Sequence, residues 1–346
     1  MKEKKVALCT SGPTPCKQHK TSQYRNGINI CFGQIKLTAA SFCYIIYITF
    51  RYLRALVDHW SNLIAPNIKS SDCIVDFGTG SGIQALSLVA KSSGGKANVK
   101  CVDRNKRALR ITKLNFEFNG FDNPELILGN INEPYATVFE SDDDPKLWID
   151  LLSNSVTHIV SNPPFLPVPH NTTILSRYGS FSNGGKTGED FLESLVHLAS
   201  DVLDRSDSSA TLAIVSEFMN PQIDFDNRLS EFWGERGHAD ALFLTNELAL
   251  NATTYAQRRA DSSEEQTEWK RHLLEMRIND VSPGFLFLKR RKESCDITTL
   301  QKNTNEKLRV HVIHHLVPKT TGGSIWTPTN QNARSFTKIN IGKFFC

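Results

Sequence analysis

The chain lacks the paired cysteines of a zinc site, and this absence removes one common class of structural centre. Its eight cysteines are scattered along 346 residues. None stands in a Cys-x-x-Cys pair, and none lies near histidines at zinc-finger spacing, so no metal site is predicted. Scattered cysteines in a chain of this length are typical of the reduced interior of a cell, and an intracellular, cytoplasmic protein is therefore predicted.

Long hydrophobic runs are also absent. The longest uncharged, apolar-rich run covers residues 37–50 and includes Thr and Ser, whereas a helix needs about 20 residues to cross a bilayer. We therefore expect no membrane span. The first residues lack the apolar core of a secretory signal. A transit peptide for an organelle stays an alternative, because residues 2–36 carry several basic residues and one acidic residue.

Acidic residues are scarce at both ends of the chain. Residues 1–70 contain ten Lys and Arg against two acids, and residues 289–346 contain eleven against three. Each end therefore has a net charge of +8, and the total of +4 leaves −12 for the section between them. The chain is an acidic centre flanked by two basic ends, a polarity that the total charge conceals.

Residues 71–290 are predicted to alternate strands and helices. Short apolar strands are predicted at 73–77, 99–102 and 157–160, with helices of amphipathic pattern between the strands. This order argues for a parallel sheet covered by helices on both faces. The helix after the second strand is expected to bury the apolar face formed by Ala108, Ile111, Leu114 and Phe118.

Three other parts surround or interrupt this section. Residues 1–70 are predicted to be a basic arm with a small helical or strand segment, including an amphipathic helix at 51–64. Residues 246–283, between the last two strands, form a helix-prone insertion with an exposed turn expected at 261–268. The insertion is either a lid or substrate surface, or a peripheral helical elaboration. Residues 291–346 are a basic tail, expected to be loosely ordered.

A glycine-rich turn follows the first strand of the central section. Residues 76–82 read DFGTGSG, and the glycines allow a sharp turn and a close approach to a ligand. The spacing differs from the G-x-G-x-x-G of dinucleotide binders, and Asp76 would repel a pyrophosphate. Asp103 ends the next strand. Its distance along the chain from the glycines is about that at which an acid accepts hydrogen bonds from ribose hydroxyls. The alternatives are a plain tight turn for the glycines and a helix N-cap for Asp103.

An Asn-Pro-Pro-Phe sequence at residues 162–165 follows a later strand. Consecutive prolines make this loop rigid and leave its carbonyls free to accept hydrogen bonds. The oxygens of Asn162 and Pro163 can hold both hydrogens of a planar NH2 group, and Phe165 can stack on the attached system. Holding both N–H bonds stabilises the positive charge that develops on an attacking nitrogen. The alternative is an ordinary proline-rich turn.

Together these motifs resemble the class I S-adenosylmethionine-dependent methyltransferases. More narrowly, the chain is similar to the small-domain amino-methyltransferases with Asn-Pro-Pro-[Phe/Tyr], which include release-factor glutamine, rRNA guanine and adenine methyltransferases. The resemblance covers about residues 71–290 and includes a Gly-Gly-x-x-Gly-x-Asp sequence at 184–190. It implies a Rossmann-like, doubly wound, seven-stranded mixed sheet with an antiparallel last strand.

The resemblance also assigns roles to individual residues. The glycines would pass under S-adenosyl-L-methionine, with Asp76 near its amino-acid end, Asp103 on the ribose, and Asn130, where the family usually has Asp, on the adenine. The residues implied to bind the cofactor are Asp76, Gly78, Thr79, Gly80, Gly82, Asp103, Asn130 and Asn162. The residues implied to act on the acceptor are Asn162, Pro163, Pro164 and Phe165.

The implied reaction moves a methyl group to a planar NH2 nitrogen of a macromolecule. The acceptor is either the exocyclic amine of a base in RNA or DNA, or the glutamine amide of a protein. The 184–190 sequence favours a protein, whereas the basic ends, which would contact phosphates, favour a nucleic acid. A non-catalytic scaffold or partner subunit with the same fold is the alternative function, and a nucleotide-dependent oxidoreductase is disfavoured by the glycine spacing.

Overall fold

The computed structural model describes residues 68–291, apart from 93–96, 153–155, 179–180, 205–206, 208–209, 236–237 and 246–248. It also describes residues 30–32, 35–37 and 308–313. The predicted helix at 51–64 and most of both basic ends lie outside these residues. In the part of the chain that is described, no helix is long and apolar enough to cross a membrane.

The described residues form thirteen strands and eight helices. The strands are β1 (Ile30–Phe32), β2 (Ile35–Leu37), β3 (Cys73–Phe77), β4 (Asn98–Asp103), β5 (Glu125–Gly129), β6 (Tyr135–Val138), β7 (Lys146–Leu147), β8 (Val156–Ser161), β9 (Thr211–Met219), β10 (Ala239–Thr245), β11 (Leu250–Asn251), β12 (Asp280–Arg290) and β13 (Leu308–Ile313). The helices are α1 (Ile83–Lys91), α2 (Lys106–Phe118), α3 (Trp148–Leu152), α4 (Thr172–Tyr178), α5 (Asp190–Val202), α6 (Phe225–Trp233), α7 (Ala252–Arg259) and α8 (Ser263–Glu275).

The main sheet has the order β13-β10-β12-β9-β8-β3-β4-β5-β6-β7, and β11 pairs with β12. Strands β9, β8, β3, β4 and β5 run parallel. Strand β12 runs antiparallel to both β9 and β10. The predicted count of seven strands is wrong, because the described residues form an eleven-stranded sheet. The additional strands β6, β7 and β11 are too short to show an alternation, and β13 lies at an edge of the sheet.

One of these edge strands belongs to the basic tail. Residues 308–313 pair in parallel with β10, although the tail was expected to be loosely ordered. Apolar residues alternate here at Leu308, Val310 and Val312, as they do in a half-buried strand, and Leu308 is buried. This part of the tail therefore extends the sheet.

The apolar core lies on both faces of the sheet. Helices α5 and α6 cover one face through Leu195 and Leu229, and α1 and α2 cover the other. The predicted face of α2 is wrong. Leu114 and Phe118 are 52% and 46% exposed, and the buried positions are Leu109, Thr112, Asn115 and Phe116. The hydrophobic pattern failed because two of the inward positions are polar.

The insertion forms β11 and the helices α7 and α8. The turn expected at residues 261–268 is also wrong, since α8 begins at Ser263. Its N-cap Ser262 accepts a hydrogen bond from the backbone N–H of Glu265 at 3.2 Å. Ser262 and Glu265 have the Ser-x-x-Glu spacing of a helix start, so the polar run that suggested a turn is a capping sequence.

Candidate cofactor and acceptor site

The predicted motifs meet at one edge of the sheet. Strands β3, β4, β5 and β8 are parallel, so their carboxyl ends lie on the same side, and each motif directly follows one of them. The chain proceeds from β3 outward to β5 and then returns to β8 on the other side of β3. Such a reversal creates a crevice, which is where open α/β sheets bind ligands.

The glycine loop (residues 78–82) has a left-handed backbone. Gly78, Gly80 and Gly82 have φ values of +67°, +58° and +75°, a region that side chains with a Cβ rarely adopt. A Cβ on Gly82 would lie 2.7 Å from Cγ2 of Thr112, whereas a Cβ on Gly78 would meet no atom within 4 Å. The loop is therefore packed against α2 at one end and open to a ligand at the other.

Two buried polar residues of α2 support this loop. Asn115 donates from Nδ2 to the carbonyl of Ser81 at 2.8 Å, and Thr112 donates from Oγ1 to the carbonyl of Gly80 at 3.4 Å. Sequence reasoning missed both residues. Their spacing of three residues could have indicated them, because it places two polar side chains on the same side of the helix. This helix comes after the next strand in the chain.

Asp76 lies beneath the glycine loop and is fully buried. Its carboxylate accepts hydrogen bonds from Oγ1 of Thr79 at 2.8 Å and from the backbone N–H of Ala85 at 3.2 Å. Burial raises the pKa of Asp76 to about 7, and the Asp103 carboxylate adds to the increase, although the hydrogen bonds from Thr79 and Ala85 oppose it. The residue therefore joins the loop to the first turn of α1, and its predicted cofactor contact stays a prediction.

Asp103 ties the end of β4 to the glycine loop. Its Oδ2 accepts from the backbone N–H of Gly80 at 3.0 Å, and its Oδ1 accepts from that of Asn105 at 2.8 Å. Burial raises the pKa of Asp103, but the side chain is partly accessible. Asp103 is not the N-cap of α2, because that position is Asn105, which accepts from the N–H of Arg107.

Asn130 follows β5 at the same edge and is half-buried. Its side-chain oxygen accepts from the backbone N–H of Asn132 at 3.3 Å, and its Nδ2 donates to Glu133 at 3.2 Å. Both ends of this amide therefore have partners within the chain, and its predicted contact with the adenine stays a prediction.

The proline loop (residues 162–165) begins where β8 ends. Ser161 is buried and donates from Oγ to the carbonyl of Phe77 at 2.7 Å, which joins this end to the end of β3. Asn162 and Phe165 are half-buried, and Pro163 is buried. Among the described residues, neither the amide of Asn162 nor the carbonyl of Pro163 has a hydrogen-bond partner. These two acceptors are available to a ligand.

The 184–190 segment packs against the proline loop. Leu166, which follows the proline loop, donates its backbone N–H to the carbonyl of Ser182 at 2.8 Å. Its own carbonyl accepts a hydrogen bond from the N–H of Gly184 at 2.9 Å. A Cβ on Gly184 would lie 2.8 Å from Cα of Phe165, and one on Gly188 would lie 2.5 Å from its carbonyl oxygen. The glycines are therefore needed because backbone packs directly on backbone.

The large aromatic residues of the insertion are buried. Tyr255 and Trp269 are 1% and 0% exposed and share an apolar cluster with Leu166 and Ile174. Arg259 forms an ion pair with Glu217 at 2.6 Å. These side chains hold the insertion against the chain that follows the proline loop, so they do not form an open substrate surface.

Comparison with known proteins is consistent with this site. Residues 52–177 match the family model described as "Methyltransferase small domain". The match covers about a third of the chain and includes the glycine loop, Asp103, Asn130 and the proline loop, but not the insertion or the strands from β9 onward.

Two relatives are curated as "Ribosomal protein L11 methyltransferase". The chain is 26% identical over 160 residues to the protein of Staphylococcus carnosus, which is 45% of this chain and 46% of that protein. It is 31% identical over 123 residues to the protein of Staphylococcus saprophyticus, 35% of this chain and 34% of that protein. The chain therefore spans less than half the length of these relatives.

Among solved structures, the chain has a distant similarity to an rRNA methylase from Streptococcus thermophilus, with 14% identity, a TM-score of 0.38, and coverage of 69% of this chain and 97% of the other. Another is a type I restriction-modification methyltransferase subunit from the same organism. It has 13% identity, a TM-score of 0.46, and coverage of 84% and 52%.

Proposed function

We propose that the chain is an S-adenosylmethionine-dependent methyltransferase that methylates a planar NH2 nitrogen of a macromolecule. The observation that carries the proposal is the proline loop, which presents the unpaired oxygens of Asn162 and Pro163 beside the end of β3. The family match over residues 52–177 supports the same activity.

The residues at the crevice fit the proposed cofactor. Gly78 and Gly80 leave open space where a Cβ would stand, and a partly accessible Asp103 is suited to accept hydrogen bonds from ribose hydroxyls. Asn130 would pair with the adenine. When bound, S-adenosyl-L-methionine supplies an electrophilic methyl group on a sulfonium.

The proline loop would then prepare the acceptor nitrogen. Asn162 Oδ1 and the carbonyl of Pro163 each accept one N–H bond, while Phe165 packs on the plane of the acceptor. As the nitrogen attacks, its delocalised lone pair becomes localised and positive charge develops on it. The two fixed oxygens stabilise this charge more than they stabilise the neutral ground state, so no strong base is required at this step.

The described residues support a protein as the acceptor. The section between the basic ends has a net charge of −12, which repels phosphates. Arg177, Arg228 and Arg259, which flank the proline loop or the insertion, each hold a carboxylate within 3.2 Å. These three arginines are therefore not free to contact phosphates. The basic ends, each with a net charge of +8, are the observation that favours a nucleic-acid acceptor as the second candidate.

Two measurements test the proposed reaction. Calorimetric titration should show binding of S-adenosylhomocysteine, and binding of NAD alone would contradict the proposal. Asn162→Ala should abolish transfer of labelled methyl groups while changing the affinity for S-adenosylhomocysteine much less than it changes transfer, because the main proposed role of Asn162 is to hold the acceptor nitrogen. Normal transfer by this variant would refute the role of the proline loop.

The acceptor class requires a separate experiment. Purified protein and labelled cofactor are added to cell extract, and parallel samples are treated with protease, RNase or DNase. Loss of the label with protease alone supports the protein acceptor, and loss with a nuclease supports the second candidate. Cofactor binding without transfer to any fraction would favour the non-catalytic scaffold.

A further inference from the structure

The insertion contacts the chain on the far side of the proline loop. Tyr178, at the end of α4, donates its hydroxyl to the carbonyl of Arg259 at 2.9 Å. Its neighbour Arg177 donates two hydrogen bonds to Glu265, at 2.6 and 3.1 Å. Trp269 packs edge-on against the ring of Tyr178, with the ring centres 5.8 Å apart. Polar and aromatic contacts therefore join α7 and α8 to α4.

The insertion also contacts the 184–190 segment through one side chain. His272 of α8 is 5% exposed, and its Nε2 lies 2.9 Å from the carbonyl oxygen of Lys186. A carbonyl can only accept, so Nε2 carries the proton. Burial lowers the pKa of His272, although the bond to Lys186 and nearby carboxylates oppose the change. The ring is therefore a neutral donor to the segment.

Lys186 lies between the two glycines that pack on Phe165. Gly184 and Gly188 approach the backbone of Phe165 so closely that a Cβ on either would overlap with it. No flexible side chain intervenes in this contact. A displacement of the Lys186 carbonyl would therefore be transmitted through backbone to the proline loop.

We propose that α7 and α8 hold the proline loop in its working position, and that His272 is a positioning residue for methyl transfer through the carbonyl of Lys186. This rests on the proposed function. The insertion is then neither a lid nor a peripheral elaboration, but a brace for the acceptor side of the site. A shift of about 1 Å in a positioned group can reduce a reaction rate about a hundredfold, so loss of the brace should be measurable.

The test compares two substitutions in the full chain. His272→Leu fills the buried position with an apolar side chain but removes the donor, and His272→Gln restores a donor. Hydrogen–deuterium exchange should become at least tenfold faster in residues 182–190 of His272→Leu and remain within about twofold of wild type in His272→Gln. Methyl transfer to the extract acceptor should fall at least tenfold in His272→Leu and recover in His272→Gln, with affinity for S-adenosylhomocysteine unchanged.

Leu308→Ala is the control, because it removes a buried side chain at the far edge of the sheet. It should lower global stability without selectively accelerating exchange in residues 182–190. Wild-type exchange and transfer in His272→Leu would overturn the proposal, as would exchange that accelerates equally throughout the chain. A wild-type chain that transfers no methyl group would instead overturn the proposed function, so the two failures are read from different measurements.

Discussion

Replacing Asp76 with asparagine should remove part of the pH dependence of stability. In the unfolded chain the carboxylate has a pKa near 3.8, whereas burial raises the pKa to about 7 in the folded chain. Between these values the folded chain keeps a proton that the unfolded chain has lost. Stability from this group is therefore lost as pH rises from about 4 to 7. The asparagine amide does not titrate in this range, so the variant lacks this contribution.

The size of the effect follows from the two pKa values. Each unit of difference corresponds to about 1.4 kcal/mol, so the fully ionised carboxylate lowers stability by about 4 kcal/mol. Part of this loss has already occurred at pH 5, where the unfolded carboxylate is ionised. Integration between pH 5 and pH 8 leaves a change of about 2.5 kcal/mol in the wild-type chain relative to Asp76→Asn.

Urea unfolding of both proteins at pH 5, 6, 7 and 8 measures this difference. The other titrating groups are common to both chains, so the contributions of those that do not interact electrostatically with Asp76 cancel. Asp122→Asn, at an exposed position, is the matched control for the loss of one carboxylate. A constant difference between wild type and Asp76→Asn over the same range would show that the reasoning about burial is wrong.

Two further substitutions test the glycine loop. Gly82→Ala should weaken binding of S-adenosylhomocysteine at least tenfold and destabilise the chain by more than Gly120→Ala, as measured by calorimetry and urea unfolding. Both glycines have φ near +75°, but only a Cβ at Gly82 meets Thr112, and the backbone term alone costs about 1 kcal/mol. Equal effects would contradict the close packing of the loop on α2. Asn115→Ala should reduce the same affinity several-fold and cost about 1–2 kcal/mol of stability, and an unchanged affinity would show that the loop keeps its shape without that hydrogen bond.

The sequence predicted the parts of the site that depend on local order. Strand, glycine loop and helix follow one another within residues 73–91, and the helix expected between the first two strands is α1. Asp103 and the proline loop were predicted at strand ends, and parallel pairing brings those ends to one edge, where Asn130 also follows β5. Local order was enough because each motif follows its own strand.

The contacts that could not be predicted from the sequence are those between residues that are far apart along the chain. Thr112 and Asn115 face inward because they bond to the glycine loop 32 and 34 residues away, which hydrophobic periodicity cannot reveal. Arg177 and Glu265 are separated by 88 residues, so nothing near either residue indicates the pair. Strands β6, β7 and β11 are only four, two and two residues long, too short to show an alternation, and β13 lies in the basic tail, so the predicted strand count was too low.

The position of β12 has a consequence for biosynthesis. Strand β9 is complete at Met219, but its neighbour β12 begins only at Asp280, after β10 and the whole insertion. At about 5–20 residues per second, a ribosome needs on the order of 10 s to make this stretch. During that time the apolar edge of β9 has no native partner and is open to pairing with other chains. Slower translation between β9 and β12, or the loss of an early-binding chaperone, would therefore lower the yield of folded protein.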